Sequence, residues 1–397
     1  MIPVADARAQ IVAALSPLGH EDVPVMEALG RVLAIDAAAR VSHPPADVSA
    51  MDGYAVRAAD AAQGAALKIV GTAAAGHPWH GTLGAGQAAR IFTGAHVPAG
   101  ADAVVIQEDT AAHEATVTVN EAATKGRHIR PMGQDFKTKD VVLRALKRLT
   151  ARDVGLLSAM NWPRVPVYKK PRVGVLSTGD EVVMPGDAVN YGQLVSANGP
   201  GLCAFIAARG ALPVHLGIVR DDAASLTAMA QAAGELDMLV TSGGVSVGDH
   251  DLVAKVLGGA GLEIGFHKIA MRPGKPLLFG RLKGTPFFGL PGNPVSAMVC
   301  AILFLGPALD KLLGLPGHAP ATTRAKLGSA LKANDKREDY VRASLSHDGD
   351  GHLIATPFPK QDSGMISALA RADALLIRPP FAPEAKPGDA ADVIVLD

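Results

Sequence analysis

The sequence predicts a multidomain α/β protein: a central, mostly parallel α/β domain, with an N-terminal helical part and a β-rich insert before it and a small β domain after it. Three observations carry this prediction. The 397 residues exceed the ~150 of an ordinary domain. Strand and helix patterns alternate between residues 172 and 313, as in a parallel sheet covered on both faces. Short β-prone runs separated by glycines fill 67–119 and 323–396.

At the N-terminus, Val4, Ile11, Val12 and Leu15 fall on one helical face, and a second helical pattern covers 25–32. His43-Pro44-Pro45 breaks it and opens a turn-rich stretch in which Asp52-Gly53 is a turn signal. Runs at 67–70, 88–92, 103–106 and 115–119 read as strands of a small insert; within it Arg90-Ile91-Phe92-Thr93-Gly94 is a strand ending on a hydroxyl and a glycine. The loop 126–135 gathers Arg127, His128 and Arg130 before Asp135, either to read an anion or as a solvated face. A helical pattern returns over 143–158, and Asn161-Trp162-Pro163 marks a boundary.

The central block is the most regular. Strands are expected at 172–176, 213–219, 238–241, 264–269 and 286–290. Helices are expected at 198–208, 223–233, 252–257 and 295–313, the last bent near Gly306-Pro307. Ligands in such sheets bind beyond the carboxyl ends of the strands, and there the unusual residues concentrate. One strand runs into Ser177-Thr178-Gly179-Asp180-Glu181, a second into Arg220-Asp221-Asp222, and a third into Ser242-Gly243-Gly244 followed by Asp249 and Asp251. Later ends deliver Lys268, Arg272 and Lys275, then Pro291-Gly292-Asn293, with Asn293 as a helix cap before Pro294. Paired glycines let a phosphate approach main-chain N–H groups, and nearby carboxylates fit a divalent cation beside it. Past Pro316-Gly317, runs at 323–327, 340–345, 352–355, 375–378 and 393–396 read as a small β-barrel or sandwich carrying Arg337, Arg342 and Ser363.

Composition narrows the function. Lys+Arg and Asp+Glu are both 38, so no global field favours nucleic acid or an anionic membrane, and any anion site is local. No G-x-x-x-x-G-K-[ST] occurs, which argues against a P-loop nucleotidase. Cys203 and Cys300 read as buried free thiols of a reducing cytoplasm, the first residues lack the features of a signal peptide, and the longest apolar run, 298–305, is too short to span a bilayer.

In this order the motifs SAMDGYAV at 49–56, RIFTGAHVPAGADAV at 90–104, STGDE at 177–181, RDD at 220–222, TSGGVSVGDHD at 241–251, RPGKP at 272–276 and GLPGNPVSA at 289–297 resemble the molybdopterin molybdenumtransferase family, which is related to the C-terminal domain of gephyrin. The resemblance implies a helical domain over 1–42 and 141–170, a β-rich insert over 43–140, a molybdopterin-binding α/β domain over 171–316 and a C-terminal β-barrel over 317–397. It also implies insertion of molybdate into adenylylated molybdopterin with release of AMP, Mg²⁺ as cofactor, and a homodimer with the site at the subunit interface. Transient contact with the adenylyltransferase and with apo-molybdoenzymes would follow. The implied catalytic residues are Asp52, Thr93, Asp135, Glu181, Asp251, Lys268 and Arg272. Substrate would be bound by Ser177, Thr178, Gly179, Ser242, Gly243, Gly244, Lys275, Pro291, Gly292, Asn293, Arg337 and Ser363, and the metal by Glu181, Asp221, Asp222 and Asp251. Three positions depart from the family pattern: Arg272 stands where lysine is common, and Leu146 and Asn161 stand where glycine is usual. The alternatives are an ATP-dependent molybdopterin adenylyltransferase, which needs the central block alone, and a non-catalytic gephyrin-like dimeric scaffold.

Overall fold

The structure, a computed structural model, describes residues 1–220, 233–244, 258–259 and 261–396. Asp221, Asp222, Asp249 and Asp251 lie outside the described residues, as do the helices expected over 223–233, apart from its last residue, and over 252–257. The chain divides into two compact units, Met1–Glu21 with Tyr168–Asp397, and Asp22–Val167.

The larger unit is built on a six-stranded sheet. Leu212–Val219, Arg172–Thr178, Met238–Ser242 and Thr285–Leu290 run parallel in that spatial order, and Leu278–Leu282 and Leu262–His267 add antiparallel strands at the far edge. Met238–Ser242 is buried at every position, as its uninterrupted apolar run requires of a strand covered on both faces. Register sets the rim: Ser177 lies opposite Ser242, and Ser242 opposite Leu290. Helix Asn198–Ala208 forms where the sequence predicts it. The long helix Pro294–Leu312 widens into a π turn over Ala301–Leu305, just before Pro307, whose nitrogen has no hydrogen to bond the preceding turn. That helix is 19 residues long and apolar enough to cross a membrane by length and composition, beyond what the apolar run 298–305 suggests, but 78% of it is buried in the protein core.

Helix Val4–Ala13 contributes Val4, Ala7 and Ile11 to this same core, beside Val240, Phe288 and Leu309, although the sequence grouped it with 22–42. The unit closes with a barrel of five strands. Glu338–His347 pairs with Leu353–Pro357 on one side and with Ala374–Arg378 on the other, and Thr323–Leu327 and Ala390–Val395 complete the ring. Met271–Arg272 adds in parallel to Glu338–Asp339 and so ties the barrel to the loops of the sheet. Both cysteines are free; Cys300 is buried as expected, whereas Cys203 is only partly so.

The smaller unit contains a second six-stranded sheet, in the order Ala103–Ile106, Gly53–Val56, Gln87–Ile91, Ala66–Ala73, Thr116–Val119 and Thr110–His113. The segments flanking it share one core, in which Leu33 and Ala37 meet Leu157, Val165 and Val167. Two helical expectations shrink here. The pattern over 25–32 yields only the 3₁₀ turn Val25–Glu27, since Gly30 adopts φ +74° and the chain leaves the helix. The pattern over 143–158 yields a strand, Val141–Leu143, and a helix that starts only at Ala151, where Thr150 and Asp153 form a capping box.

Between those two elements Leu146 has φ +63°, and beyond the helix Asn161 has φ +65°. These are the two positions where the family pattern places glycine, and the left-handed backbone explains that preference. Asn tolerates this region; Leu does not do so easily. Leu146 is 48% exposed, so little packing is lost on removing it. Leu146→Gly is expected to stabilise the protein by about 0.5–1 kcal/mol, the relief of left-handed strain less the added freedom of the unfolded chain. Chemical denaturation against the wild type checks this, and an equal loss of stability would contradict the strain argument.

Candidate functional site

The carboxyl ends of the parallel strands form a polar rim. Ser177, Thr178 and Ser242 are buried there, with Ser177 Oγ 3.4 Å from Ser196 Oγ. Asn198 donates from Nδ2 both to Ser242 Oγ (2.7 Å) and to the Gly292 carbonyl (2.7 Å), clasping two of the strand-end loops. Gly243 has φ +96°, and a Cβ on it would sit 2.7 Å from the Thr178 carbonyl and 2.9 Å from Thr178 Oγ1. Only glycine fits. Thr178 Oγ1 is itself buried and has no hydrogen-bond partner among the described residues. Gly179, at φ +135°, leaves room for the Glu181 carboxylate, which would lie 2.6 Å from a Cβ added there. Glu181 is exposed at the start of a small parallel ladder, Val182–Val183 with Leu194–Val195.

Asn293 does not cap its helix through its side chain. Its Nδ2 instead donates to Ser363 Oγ (2.8 Å), and the Val295 N–H donates to the Ser363 carbonyl (3.1 Å). The barrel loop 361–364 thus lies against the rim. Arg342, only 1% exposed, holds that loop: its Nε donates to Gln361 Oε1 (3.1 Å) and its Nη1 to the Asp362 carbonyl (2.8 Å).

Lys268, Arg272 and Lys275 share one loop that folds back on itself, with the Lys268 N–H donating to the Leu277 carbonyl (3.2 Å) and the Ile269 N–H to that of Lys275 (2.9 Å). Lys268 is in a positive-φ conformation, +102°. Gly274 presses the loop onto the long helix, where a Cβ would come 2.6 Å from Cys300 Sγ. Arg272 is not an uncommitted cation. Its guanidinium contacts Asp339 Oδ2 through Nε (3.0 Å) and Nη2, and Asn334 Oδ1 through Nη2 (3.3 Å); Nη1 lies 3.7 Å from Asp335. Arg337 Nη2 binds the same Asp335 at 2.6 Å. Burial raises the Asp339 carboxyl above its ordinary value against the pull of Arg272, and the second carboxylate oxygen, Oδ1, is buried with no partner among the described residues. Hydrogen bonds from Arg337 drive the Asp335 carboxyl down to about 2. Arg272, Asn334, Asp339, Phe358 and Gln361 line a cavity of about 410 Å³ on the barrel side of this network.

In the smaller unit, Asp52 Oδ1 accepts from both the backbone N–H and the hydroxyl of Thr93, each at 2.7 Å. These bonds, then the charge of Arg90, hold the Asp52 carboxyl below its usual range. Arg90 stacks over Phe92 and Tyr54 and donates to the Gly53 carbonyl (3.1 Å). Asp135 is exposed on a separate loop, where its N–H donates to the His43 carbonyl (3.0 Å). Arg127, offered by the sequence as an anion reader, is committed to Glu121 (2.7 Å) and Asp109 (3.6 Å).

The structure therefore unites Ser177, Thr178, Gly179, Ser242, Gly243, Gly244, Gly292, Asn293 and Ser363 at one rim, and joins Arg272 to Arg337 through Asp335. Sequence reading missed Ser196, Asn198, Asp335 and Asp339. Asn198 had a faint signal, an Asn opening a helix just after a strand end.

Over residues 2–161 the chain matches the family described as MoeA N-terminal region (domain I and II), over 174–311 the probable molybdopterin binding domain, and over 324–396 the MoeA C-terminal region (domain IV). Fold and rim thus define a multidomain protein built on a molybdopterin-binding type of α/β domain. The molybdopterin molybdenumtransferase of Nostoc sp. is 37% identical over 370 residues, which are 90% of this chain and 85% of that protein. Its counterpart from Haemophilus influenzae is 34% identical over 385 residues, 95% and 94% of the two chains. The solved molybdopterin biosynthesis moeA protein from Pyrococcus horikosii superposes with a TM-score of 0.87 at 33% identity, covering 100% of this chain and 99% of that one. The chain belongs to the molybdopterin molybdenumtransferase family.

Two expectations follow from the geometry. Arg342→Met removes the guanidinium that fastens the loop carrying Ser363, so stability should fall by about 1.5–3 kcal/mol, the worth of charge-assisted hydrogen bonds, with a larger loss of turnover than of fold; denaturation and activity measured on one preparation separate the two. Asp335, its carboxyl lowered from 3.8 to about 2, contributes stability that is present above its unfolded value and is lost as pH falls from about 4 through about 2. A carboxyl-carbon NMR titration that placed Asp335 at an ordinary carboxylate value would contradict the pairing.

Proposed function

We propose that this chain inserts molybdate into adenylylated molybdopterin and releases AMP with the molybdenum cofactor, acting as a cytoplasmic homodimer with Mg²⁺. The observation that carries the reading is the rim itself, where Asn198 ties the Ser242 hydroxyl to the Gly292 carbonyl, Asn293 ties the same loop to Ser363 of the barrel, and Ser177 stands beside Ser196.

A pyrophosphate and a molybdate dianion in one poorly solvated pocket repel each other strongly, so the residues around them must offer compensating dipoles and charge. The Gly243-Gly244 loop lets a phosphate approach the main chain, where the Gly243 N–H is already given to the Leu290 carbonyl and the Gly244 N–H suits the phosphate, and Thr178 Oγ1, buried with no partner among the described residues, can complete a bond to bound substrate. Lys268 and Lys275 supply positive charge from one loop. Arg272 and Arg337, bridged by Asp335, are suited to the oxyanion. The described part of the implied metal site is Glu181, an exposed carboxylate beside Gly179, and an oxygen donor of this kind fits a hard cation. Asp221 or Asp222 and Asp251 would complete the set. Bound Mg²⁺ would neutralise charge on the phosphoanhydride that breaks.

In the homodimer, Asp52 and Thr93 would act on the pocket of the other protomer, with Asp52 kept ionised by Thr93. Adenylyltransferase and apo-molybdoenzymes would be transient partners. An adenylyltransferase would need only the central block, whereas the family matches extend through both flanking regions.

The test is incubation of the protein with adenylylated molybdopterin, molybdate and Mg²⁺. AMP release and active cofactor are expected, and neither should form without molybdate. Asp52→Ala and Glu181→Gln should each be inactive but folded, and mixing them should restore part of the activity through hybrid dimers. Persistent inactivity of the mixture would count against a shared site.

A further inference from the structure

Two guanidinium groups from distant parts of the chain converge on one exposed carboxylate. Arg337 Nη2 lies 2.6 Å and Arg272 Nη1 3.7 Å from the same atom, Asp335 Oδ2. Arg337 Nε reaches both Asp335 oxygens at 3.2 Å. Planar guanidinium forks around a small oxyanion are the arrangement that binds carboxylate and tetrahedral dianions alike. The two aspartates of this network differ. Asp339 is nearly buried and grips Arg272 through Nε and Nη2, in strand register with it, so it keeps Arg272 in place whatever happens at the surface. Asp335 is 45% exposed on the side chain, and among the described residues its carboxylate is held by the side chains of the two arginines and by the Arg337 backbone N–H (2.8 Å), a bond it must also give up to swing aside. Its turn is fixed independently: Asn334 Nδ2 donates to the carbonyls of Arg337 (2.8 Å), Arg378 (3.0 Å) and Pro379 (2.9 Å). The backbone can therefore stay while the carboxylate leaves. With Asp335 in place, two cations and two anions balance; with it withdrawn, one positive charge is uncovered between two aligned donors.

We propose that Asp335 is a built-in competitor of the oxyanion substrate, a carboxylate occupying the ground between Arg272 and Arg337 that must swing aside for molybdate to bind there. The inference rests on the reading that these two arginines belong to the molybdate subsite. It makes Asp335 a determinant of how much oxyanion the protein needs, and it favours dianions, which gain more than a monoanion from displacing a single charge.

Asp335→Asn keeps the shape and removes the charge. It should lower the KM for molybdate by ~3–10-fold, the scale of one or two exposed ion-pair contacts, without a matching change in the KM for adenylylated molybdopterin. Asp335→Glu should stay near wild type. A folded Asp335→Asn protein with unchanged or raised molybdate KM overturns the inference. Should that variant fold poorly, wild-type protein supplies the second measurement: at neutral pH added molybdate should shift the carboxyl-carbon NMR resonance of Asp335 as it loses its arginine partners, and an unmoved resonance overturns the inference equally. Calorimetry with molybdate alone separates this from the functional reading. Molybdate that binds, and binds more tightly to Asp335→Asn, in a protein without turnover supports the inference and sinks the function; turnover with no tightening does the reverse.

Discussion

The parallel register of three strands is the constraint from which the site follows. Ser177, Ser242 and Leu290 stand in one row, so the chain leaves the sheet at the same level three times and each departure places a polar loop beside the last. The Gly243 N–H still bonds the Leu290 carbonyl at 3.1 Å, which carries the ladder one residue past the paired strand and fixes where the glycine loop begins. A slip of one residue would exchange the faces of Met238–Ser242 and drive Val240 out of the core it shares with Phe288 and Val299. The chemistry of the rim is thus held by burial beneath it. The long helix Pro294–Leu312, mostly buried, begins where the third loop ends, so packing of its apolar surface also aims Asn293 at Ser363.

Charge is organised by the same economy of position. The chain has no net charge, and its arginines at the site are already matched by carboxylates, so the pocket presents paired groups rather than a bare positive field. Among the described residues no ion pair holds Lys268 or Lys275, which leaves the ammonium groups as the mobile charge of the loop and the guanidinium groups as its oriented one. That division gives a physical sense to arginine at 272, where family relatives commonly carry lysine. A planar fork can hold Asp339 through Nε and Nη2 and still offer Nη1 outward; a point charge could not do both.

Much of the fold was legible because the central strands are short apolar runs that end abruptly on glycine, and the structure moves their boundaries by only a few residues. The strand Leu278–Leu282 was not, since Gly280 and Arg281 interrupt its apolar run; only its antiparallel pairing on both sides, with Gly280 so close to the Glu263 carbonyl that a Cβ would stand 2.2 Å away, makes it a sheet strand. Periodicity misled at 25–32 and 143–158 because left-handed residues interrupt both patterns, and apolar spacing carries no sign of φ. The positive φ at Leu146 and Asn161 was foreshadowed by the family's glycines. The partners of Arg272 were invisible for a different reason: Asp339 is 67 residues away and meets it only through strand pairing between the sheet's loop and the barrel.

The rim's least expected feature is also its most informative. A hydroxyl buried without a partner costs about 1–3 kcal/mol, and among the described residues Thr178 Oγ1 has none. Replacing it with an apolar side chain would remove that cost, so its presence makes physical sense where something else completes its bond. The neighbouring backbone is fitted to it, since a side chain at position 243 would collide with the Thr178 carbonyl and hydroxyl, and glycine there lets the two strand ends pack this closely. Asn198, meanwhile, spends both amide hydrogens holding Ser242 and the Gly292 carbonyl, which stiffens the two loops on either side of the opening. A rigid frame around an unsatisfied buried donor is what preorganised recognition of a polar ligand requires, because the frame's ordering is complete before the ligand arrives. Thr178 and Asp335 stand in opposite states of hydrogen-bond satisfaction: among the described residues the hydroxyl lacks a partner, whereas the carboxylate is bonded to two arginines and could bind nothing else without giving them up.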